Sequence, residues 1–385
     1  MKIIYFDNSA TTKVDDSAIE IMNRYHRESY GNPSSLHSMG VEAEKAVENS
    51  REIIAGRLGV NKNEIFFTSG GSEGNNFLIR GAVEKGRKKG NRIITTKIEH
   101  PSVLELFKNY QAMGMDVVFL DVDRKGQIIT DQLEEALTQE TILVSIMMVN
   151  NEVGSIQDMK AVGRLIRKKS RYALYHSDCV QAFGKMDINP TDSNLDMITF
   201  SAHKMHGPKG VGGVYIKKGL SINPLIKGGG QEKALRSGTE NVPGIAGFGN
   251  VAETFSVHEG LEHFNKLKKS FIKRALKDIP DTIVNSPAGE NFIANIISIS
   301  FKDVKSEILL HSLEKQGIFI STGSACSSKK NTASHVLKAM GVEKEYIDGT
   351  LRVSFSKHNT LEEVDICLSA IKSGAEKIRR FTRRK

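Results

Sequence analysis

Tryptophan is absent from these 385 residues, and cysteine (3) and proline (8) are scarce. The cysteines, Cys179, Cys326 and Cys367, are odd in number and show no CxxC spacing, so neither a disulfide framework nor a zinc site is indicated. No stretch approaches the ~18 consecutive apolar residues of a membrane-spanning helix. The opening Met1-Lys2-Ile3-Ile4-Tyr5-Phe6-Asp7 lacks the apolar core and cleavage site of a signal peptide. A cytoplasmic protein with no membrane partner is expected. Glycine (34) and proline together are too few for collagen or a low-complexity linker.

What is present is an ordinary globular composition, 39% hydrophobic and 26% charged. At roughly 150 residues per domain, the length suits one large domain and a smaller one. The net charge of +9 is spread along the chain and concentrates only in residues 378–385. That tail reads as a solvated end; a docking patch for RNA or an acidic protein is the sharper alternative.

From Asp15 to about Lys218 the chain alternates helical and strand-like segments. Apolar runs at 64–68, 92–96, 117–120, 142–149, 173–176, 197–200 and 213–216 are continuous rather than alternating. Such strands belong to a mainly parallel sheet covered on both faces, whose ligands sit at the strand C-terminal ends. A long helical stretch from Pro243 to about Asp278 follows, and then strands at 296–301 and 351–354 mixed with helices. The expected fold is α/β, with a large domain at 13–257 and a small α+β domain formed by 1–12 and 258–385. The last helix aligns Leu361, Val364, Leu368, Ile371, Ala375 and Ile378 on one stripe.

Three stretches carry polar residues directly after strands. Thr68-Ser69-Gly70-Gly71-Ser72-Glu73 leads from a strand through a glycine turn into a helix, where free N–H groups and a hydroxyl suit a phosphate. It matches neither GxGxxG nor a Walker loop, and alone it is a tight turn. Asp178 and Lys204 follow two further strands; alone, each reads as a turn cap and a surface lysine. Together they are costly to bury without partners. Pyridoxal phosphate would supply both, an aldehyde for the amine and a ring nitrogen for the carboxylate. His203 and His206 lack a third metal ligand in the sequence.

Read jointly, Asp7-Asn8-Ser9-Ala10-Thr11-Thr12, Tyr30-Gly31-Asn32-Pro33, the Thr68–Glu73 run, Glu99-His100, Asn150-Asn151-Glu152, Ser201-Ala202-His203-Lys204, Arg236-Ser237-Gly238-Thr239 and Ser324-Ala325-Cys326 resemble the cysteine desulfurases of the NifS/IscS type. These are class-V aminotransferase-like enzymes with the fold-type I, aspartate aminotransferase-like architecture, a seven-stranded sheet between helices. The resemblance implies pyridoxal 5′-phosphate carried by Lys204, its pyridine nitrogen paired with Asp178 and its ring stacked under His100. Asn151 and Gln181 would bond the ring hydroxyl region; Gly71, Ser72, Ser201 and His203 would hold the phosphate, with Thr239 reaching it from the other subunit of a homodimer. Arg352 would clamp the carboxylate of L-cysteine, with Asn151 beside it, His100 would shuttle a proton, and Cys326 would accept the sulfur as a persulfide.

The sulfur would pass to an acceptor protein, an iron–sulfur scaffold or a tRNA-thiolating enzyme, with direct nucleic-acid binding not expected. Cys326 lies in a small, polar segment that composition marks as a mobile loop, whereas Cys367 between Ile366 and Leu368 reads as core. Three positions depart from the family pattern: Cys179 for Ala, Ser72 for Thr and Ala333 for Pro. A selenocysteine lyase, a plain aminotransferase and a non-catalytic basic RNA- or scaffold-binding protein are the competing readings.

Overall fold

The computed structural model describes residues 3–322 and 333–382. Its strands are β1 (Ile4–Tyr5), β2 (Ile65–Thr68), β3 (Arg92–Thr96), β4 (Asp116–Leu120), β5 (Thr141–Ser145), β6 (Leu174–Asp178), β7 (Met197–Ser201), β8 (Gly212–Ile216), β9 (Thr282–Val284), β10 (Ile296–Phe301), β11 (Ile318–Phe319), β12 (Ser321–Thr322) and β13 (Thr350–Ser354). The helices are α1 (Asp16–Arg27), α2 (Ser38–Leu58), α3 (Gly71–Gly86), α4 (Pro101–Ala112), α5 (Thr130–Ala136), α6 (Met159–Lys169), α7 (Val242–Thr254), α8 (Val257–Asp278), α9 (Ser306–Glu314), α10 (His335–Ala339), α11 (Lys344–Ile347) and α12 (Leu361–Thr382).

Seven strands form one sheet in the order β2-β8-β7-β6-β5-β3-β4. Only β8 runs against its neighbours, so β2 points the same way as β7 and all six remaining strands end at one edge. Alternate side chains go to opposite faces. Ile94, Val144, Tyr175, Ile198 and Phe200 pack with residues of α2, α6 and α7, whereas Ile93, Leu143, Met197 and Val214 pack with Phe77 and Val83 of α3 and Val103 and Phe107 of α4. Burial on both faces is why the strands read as unbroken apolar runs.

The run 142–149 is strand only to Ser145; beyond it Met148 N–H donates to Asp178 O and Val149 bridges Ile156. There the chain leaves the ladder to build a polar turn. The helical stretch after Pro243 breaks at Phe255, whose extended backbone ends α7 before α8 begins. A second sheet, β12-β13-β10-β9, is antiparallel. Its apolar core joins α8, α9 and α12 and includes Val364, Leu368, Ile371, Ala375 and the fully buried Cys367. Residue Arg379 departs from the solvated-tail expectation: it is buried and donates to Lys302 O and Pro280 O at 3.0 and 2.8 Å, tying α12 to the end of α8.

Candidate active site

The common edge of the sheet gathers the polar turns. After β2 the chain must reverse into α3, and Gly70 does so at φ +148°, a conformation that side chains rarely adopt. A Cβ at Gly71 would stand 2.7 Å from Val180 Cγ2, so only glycine lets the turn approach the loop after β6. Beside it, at the end of β7, the Ser201 hydroxyl is buried and has no hydrogen-bond partner among the described residues. It lies 3.8 Å from the position a Gly70 Cβ would take. Ser72, in the first turn of α3, is exposed. A buried hydroxyl without a partner among the described residues, beside the N-terminal N–H groups of a sixteen-residue helix, suits an anionic group.

Asp178 closes β6 with a 5% exposed side chain. Its Oδ1 accepts from Val180 N–H at 3.0 Å and its Oδ2 from Asn75 Nδ2 at 2.7 Å. His100 caps α4, its Nδ1 accepting from Ser102 N–H at 3.2 Å. Burial lowers the His100 pKa, and the Lys204 ammonium adds to this while Asp178 opposes it. Lys204 leaves the turn after β7 and donates to Ser9 O and Ala10 O at 2.6 and 2.7 Å. Gln181 donates to the same Ser9 O at 3.0 Å and accepts from Lys185 Nζ at 2.9 Å. Burial, with Lys204 and Arg352 nearby, pushes the Lys185 amine down to about 7. His203, whose Nδ1 meets Thr11 Oγ1 at 3.2 Å, is pushed down to about 4 by burial and by lysines.

Arg352 sits in β13, an interior strand paired with both β10 and β12, and not at a sheet edge. Its Nη1 donates to Asn151 O at 3.1 Å and its Nη2 to Asp7 Oδ1 at 2.8 Å, and its buried Nε has no partner among the described residues. Neighbouring Glu152 accepts from Ser334 Oγ at 2.6 Å and is raised to about 7 by burial, an effect reduced by Ser334 and Arg352. His335 Nε2 meets Glu99 O at 3.1 Å. Ser334 and His335 thus bring the chain just beyond residue 332 against this site; Cys326 itself lies outside the described residues. Thr239 is exposed on its loop, while nearby Arg236 pairs with Glu73 of α3 at 2.8 Å. Cys179 is buried in the large core and its thiol is pushed far up by burial.

Asp15, His206 and His358 bring three possible metal-ligand atoms within 4.8 Å of one another. Lys357 Nζ already sits 2.6 Å from Asp15 Oδ2, and His206 Nδ1 lies 2.9 Å from Lys13 O. The cluster is a satisfied polar clasp.

Residues 4–367 match the model of the aminotransferase class-V family. The chain belongs to that family. It is 41% identical over 383 residues to cysteine desulfurase IscS of Methanosarcina thermophila, covering 99% of this chain and 94% of the relative. Against cysteine desulfurase IscS of Clostridium botulinum it is 42% identical over 373 residues, covering 96% and 94%. A solved NifS-like protein superposes with TM-score 0.91 at 42% identity, covering 97% of this chain and 99% of that one. The structure described as SspA in complex with cysteine gives TM-score 0.82 at 35% identity over 93% of this chain and all of the other. Within class V the chain is therefore a cysteine desulfurase homologue with the fold-type I architecture, a pyridoxal 5′-phosphate enzyme. The partnerless Ser201 hydroxyl beside the glycine turn, and a carboxylate and a lysine beyond adjacent strands, fit that cofactor.

Reading the sequence missed Asn75, Ser102, Lys185 and Glu152, and gave Asp7 no role. Lys185 follows Gln181 by four residues, a spacing that signals contact on a helical turn. Asn75 and Ser102 meet only through the packing of α3 on α4, for which the sequence holds no local signal.

Proposed function

We propose that this enzyme removes sulfur from L-cysteine, releases L-alanine and carries the sulfur as a persulfide on Cys326. The observation that carries the reading is that Asp178 and Lys204 leave adjacent strand ends and both act on His100, with the Ser201 hydroxyl, which has no partner among the described residues, closing β7. Gly71, Ser72, Ser201 and His203 would hold the phosphate, Asp178 the ring nitrogen, His100 one ring face, and Asn151 and Gln181 the ring hydroxyl. When bound, pyridoxal 5′-phosphate supplies an aldehyde for an amine and a ring that withdraws electrons from the substrate Cα. Lys204, which Ser9 O and Ala10 O hold in place, takes the Cα proton. The Arg352 guanidinium, whose Nε has no partner among the described residues, receives the substrate carboxylate, because a planar fork held by Asp7 and Asn151 keeps its orientation as substrate binds. Thiolate at Cys326 attacks the substrate sulfur; the new S–S bond forms as the substrate Cβ–S bond breaks, and the three-carbon fragment keeps that electron pair, takes up protons and leaves as alanine.

The active unit is a homodimer in which Thr239 completes the partner's phosphate site. In support, Leu36 is 98% exposed, and a cleft lined by Pro33, Ser34, Gly229, Gly230 and Glu240 joins its segment to the Thr239 loop. The chain divides at 13–257 and at 1–12 with 258–385; in support, the core around α8, α9 and α12 draws only on residues 4–6 and 264–378, while Ile293 and Ile296, and a cluster of Met147 and Val153 with Val336 and Leu337, pack across the division. Sulfur passes to an iron–sulfur scaffold or a tRNA-thiolating enzyme in the cytoplasm.

The test is to give L-cysteine to the cofactor-loaded protein. Sulfide in the presence of a reducing thiol, alanine in equal amount, and one added sulfur on the Cys326 peptide are expected. Cofactor-loaded protein that yields neither alanine nor persulfide overturns the reading.

A further inference from the structure

Four side chains from three separate elements form a continuous hydrogen-bond chain beneath the site. Asp178 Oδ2 lies 2.7 Å from Asn75 Nδ2, Asn75 Nδ2 2.9 Å from Ser102 Oγ, and Ser102 Oγ 2.8 Å from His100 Nδ1. Asn75 is fully buried in α3. The Asp178 carboxylate sets the amide's orientation: turning it over would put a carbonyl oxygen against the carboxylate and take the donor from Ser102, and in the orientation observed Asn75 Oδ1 is buried with no partner among the described residues. Both Nδ2 protons are therefore spent, one on Asp178 and one on Ser102. Ser102 Oγ accepts from Asn75 and has one proton of its own, which goes to His100 Nδ1. The Ser102 backbone N–H aims at the same nitrogen from 3.2 Å, and a backbone N–H only donates. Two donors facing Nδ1 leave no room for a proton on it.

We infer that Asn75 and Ser102 are positioning residues that bind Asp178 and His100 into one directed relay, fixing His100 as the neutral tautomer with its proton on Nε2. Among the described residues, the charged and titratable groups facing His100 are Asp178, Lys204 and His335, and burial adds to the last two in keeping the ring neutral. In the resting enzyme Nε2 is then a hydrogen-bond donor, suited to hold a thiolate sulfur rather than to take a proton from a thiol. Asp178 meanwhile is held through both oxygens before any cofactor arrives, so its orientation is set in advance. The statement about the sulfur rests on the proposed reaction; the relay and the tautomer do not.

The experiment is nitrogen-15 NMR of histidine-labelled protein, with and without pyridoxal 5′-phosphate, His100 being assigned by its loss in His100→Asn. Wild type shows a protonated Nε2 and a bare Nδ1. Ser102→Ala removes one donor to the bare nitrogen, so the His100 titration moves up by about 0.5–1 pH unit, and Ser102→Thr, which keeps the hydroxyl, restores it. Asn75→Leu weakens cofactor binding about tenfold through the loss of a charge-assisted bond to Asp178. A proton on Nδ1 in wild type, or a His100 titration unmoved in Ser102→Ala, overturns the inference. Should Asn75→Leu not fold, the wild-type spectrum and the Ser102 pair decide. Protein that shows the Nε2 tautomer yet releases no sulfur from cysteine keeps the relay and loses the reaction.

Discussion

Arg352 in β13 and Asp7 at the start of the chain form a 2.8 Å ion pair across 345 residues of sequence. The guanidinium is 6% exposed, and with Asn151 O on Nη1 it is held on two sides, while its buried Nε has no partner among the described residues. Holding a fork in place raises affinity for a planar carboxylate without a new contact to it. Asp7→Ala should therefore raise the KM for L-cysteine about tenfold while changing kcat little. Arg352→Lys should cost about 100-fold in kcat/KM, a point charge replacing the bidentate fork. Steady-state kinetics decide: a lower KM in Asp7→Ala would mean that Asp7 competes with substrate and does not orient Arg352.

The three cysteines should separate cleanly. Cys179 and Cys367 are both fully buried, and burial raises both thiols far above neutrality, so neither supplies thiolate. Cys326→Ser should bind cofactor normally but form no persulfide and release no sulfide. Cys179→Ala and Cys367→Ala should keep turnover, the latter losing about 1–2 kcal/mol of stability to a core cavity. Persulfide mapped by mass spectrometry to Cys179 would remove Cys326 from the mechanism.

Subunit mixing tests the shared site. Lys204→Ala and Thr239→Val homodimers should each be poorly active, and their mixture should regain activity at the one site with both residues intact. A wild-type protein that sediments only as a monomer at assay concentration would end the proposal.

The sheet was legible because its strands are buried on both faces, which writes unbroken apolar runs into residues 65–68, 197–201 and 212–216. The residues after strand ends were legible because a charged side chain directly after a buried apolar strand calls for partners from elsewhere in the fold. What escaped depends on distant packing. Asp7 meets Arg352 only after β13 pairs with β10 and β12 and the first residues bridge to Ser354. Arg379 looked like part of a basic tail because periodicity places charge on a helix without saying which carbonyls await it; Lys302 O and Pro280 O do.

Glu99, beside His100, gives a pH signature. It is fully buried, its Oε1 accepts from Met147 N–H and Thr96 Oγ1, and Oε2 has no partner among the described residues. Burial raises its pKa from 4.5 to about 8. Between those values the folded chain holds a proton that the unfolded chain has lost, so wild-type stability falls as pH rises. Glu99→Gln keeps both bonds to Oε1 and cannot ionise. Its stability relative to wild type should grow from pH 5 to pH 8 by on the order of 3 kcal/mol in denaturant melts. A gap that stays constant across that range would mean that Glu99 is ionised in the folded protein.

Lys268 titrates in the opposite sense. It is fully buried in α8, its Nζ donates to Ile293 O at 2.9 Å, and it sits 5.6 Å from the Phe292 ring centroid. Burial lowers its pKa from 10.5 to about 7. From 7 to 10.5 the unfolded chain holds more protons, so this residue makes stability rise with pH in that window. Lys268→Met fills similar space without an amine to desolvate, and it leaves Ile293 O without this donor. The variant should exceed wild type by on the order of 1–3 kcal/mol near pH 7. Near pH 10 the order should reverse by about 1 kcal/mol, when the lost hydrogen bond is the larger effect. Urea melts of the two proteins at both pH values give the crossing directly, and parallel curves would show that the Lys268 amine stays charged inside the fold.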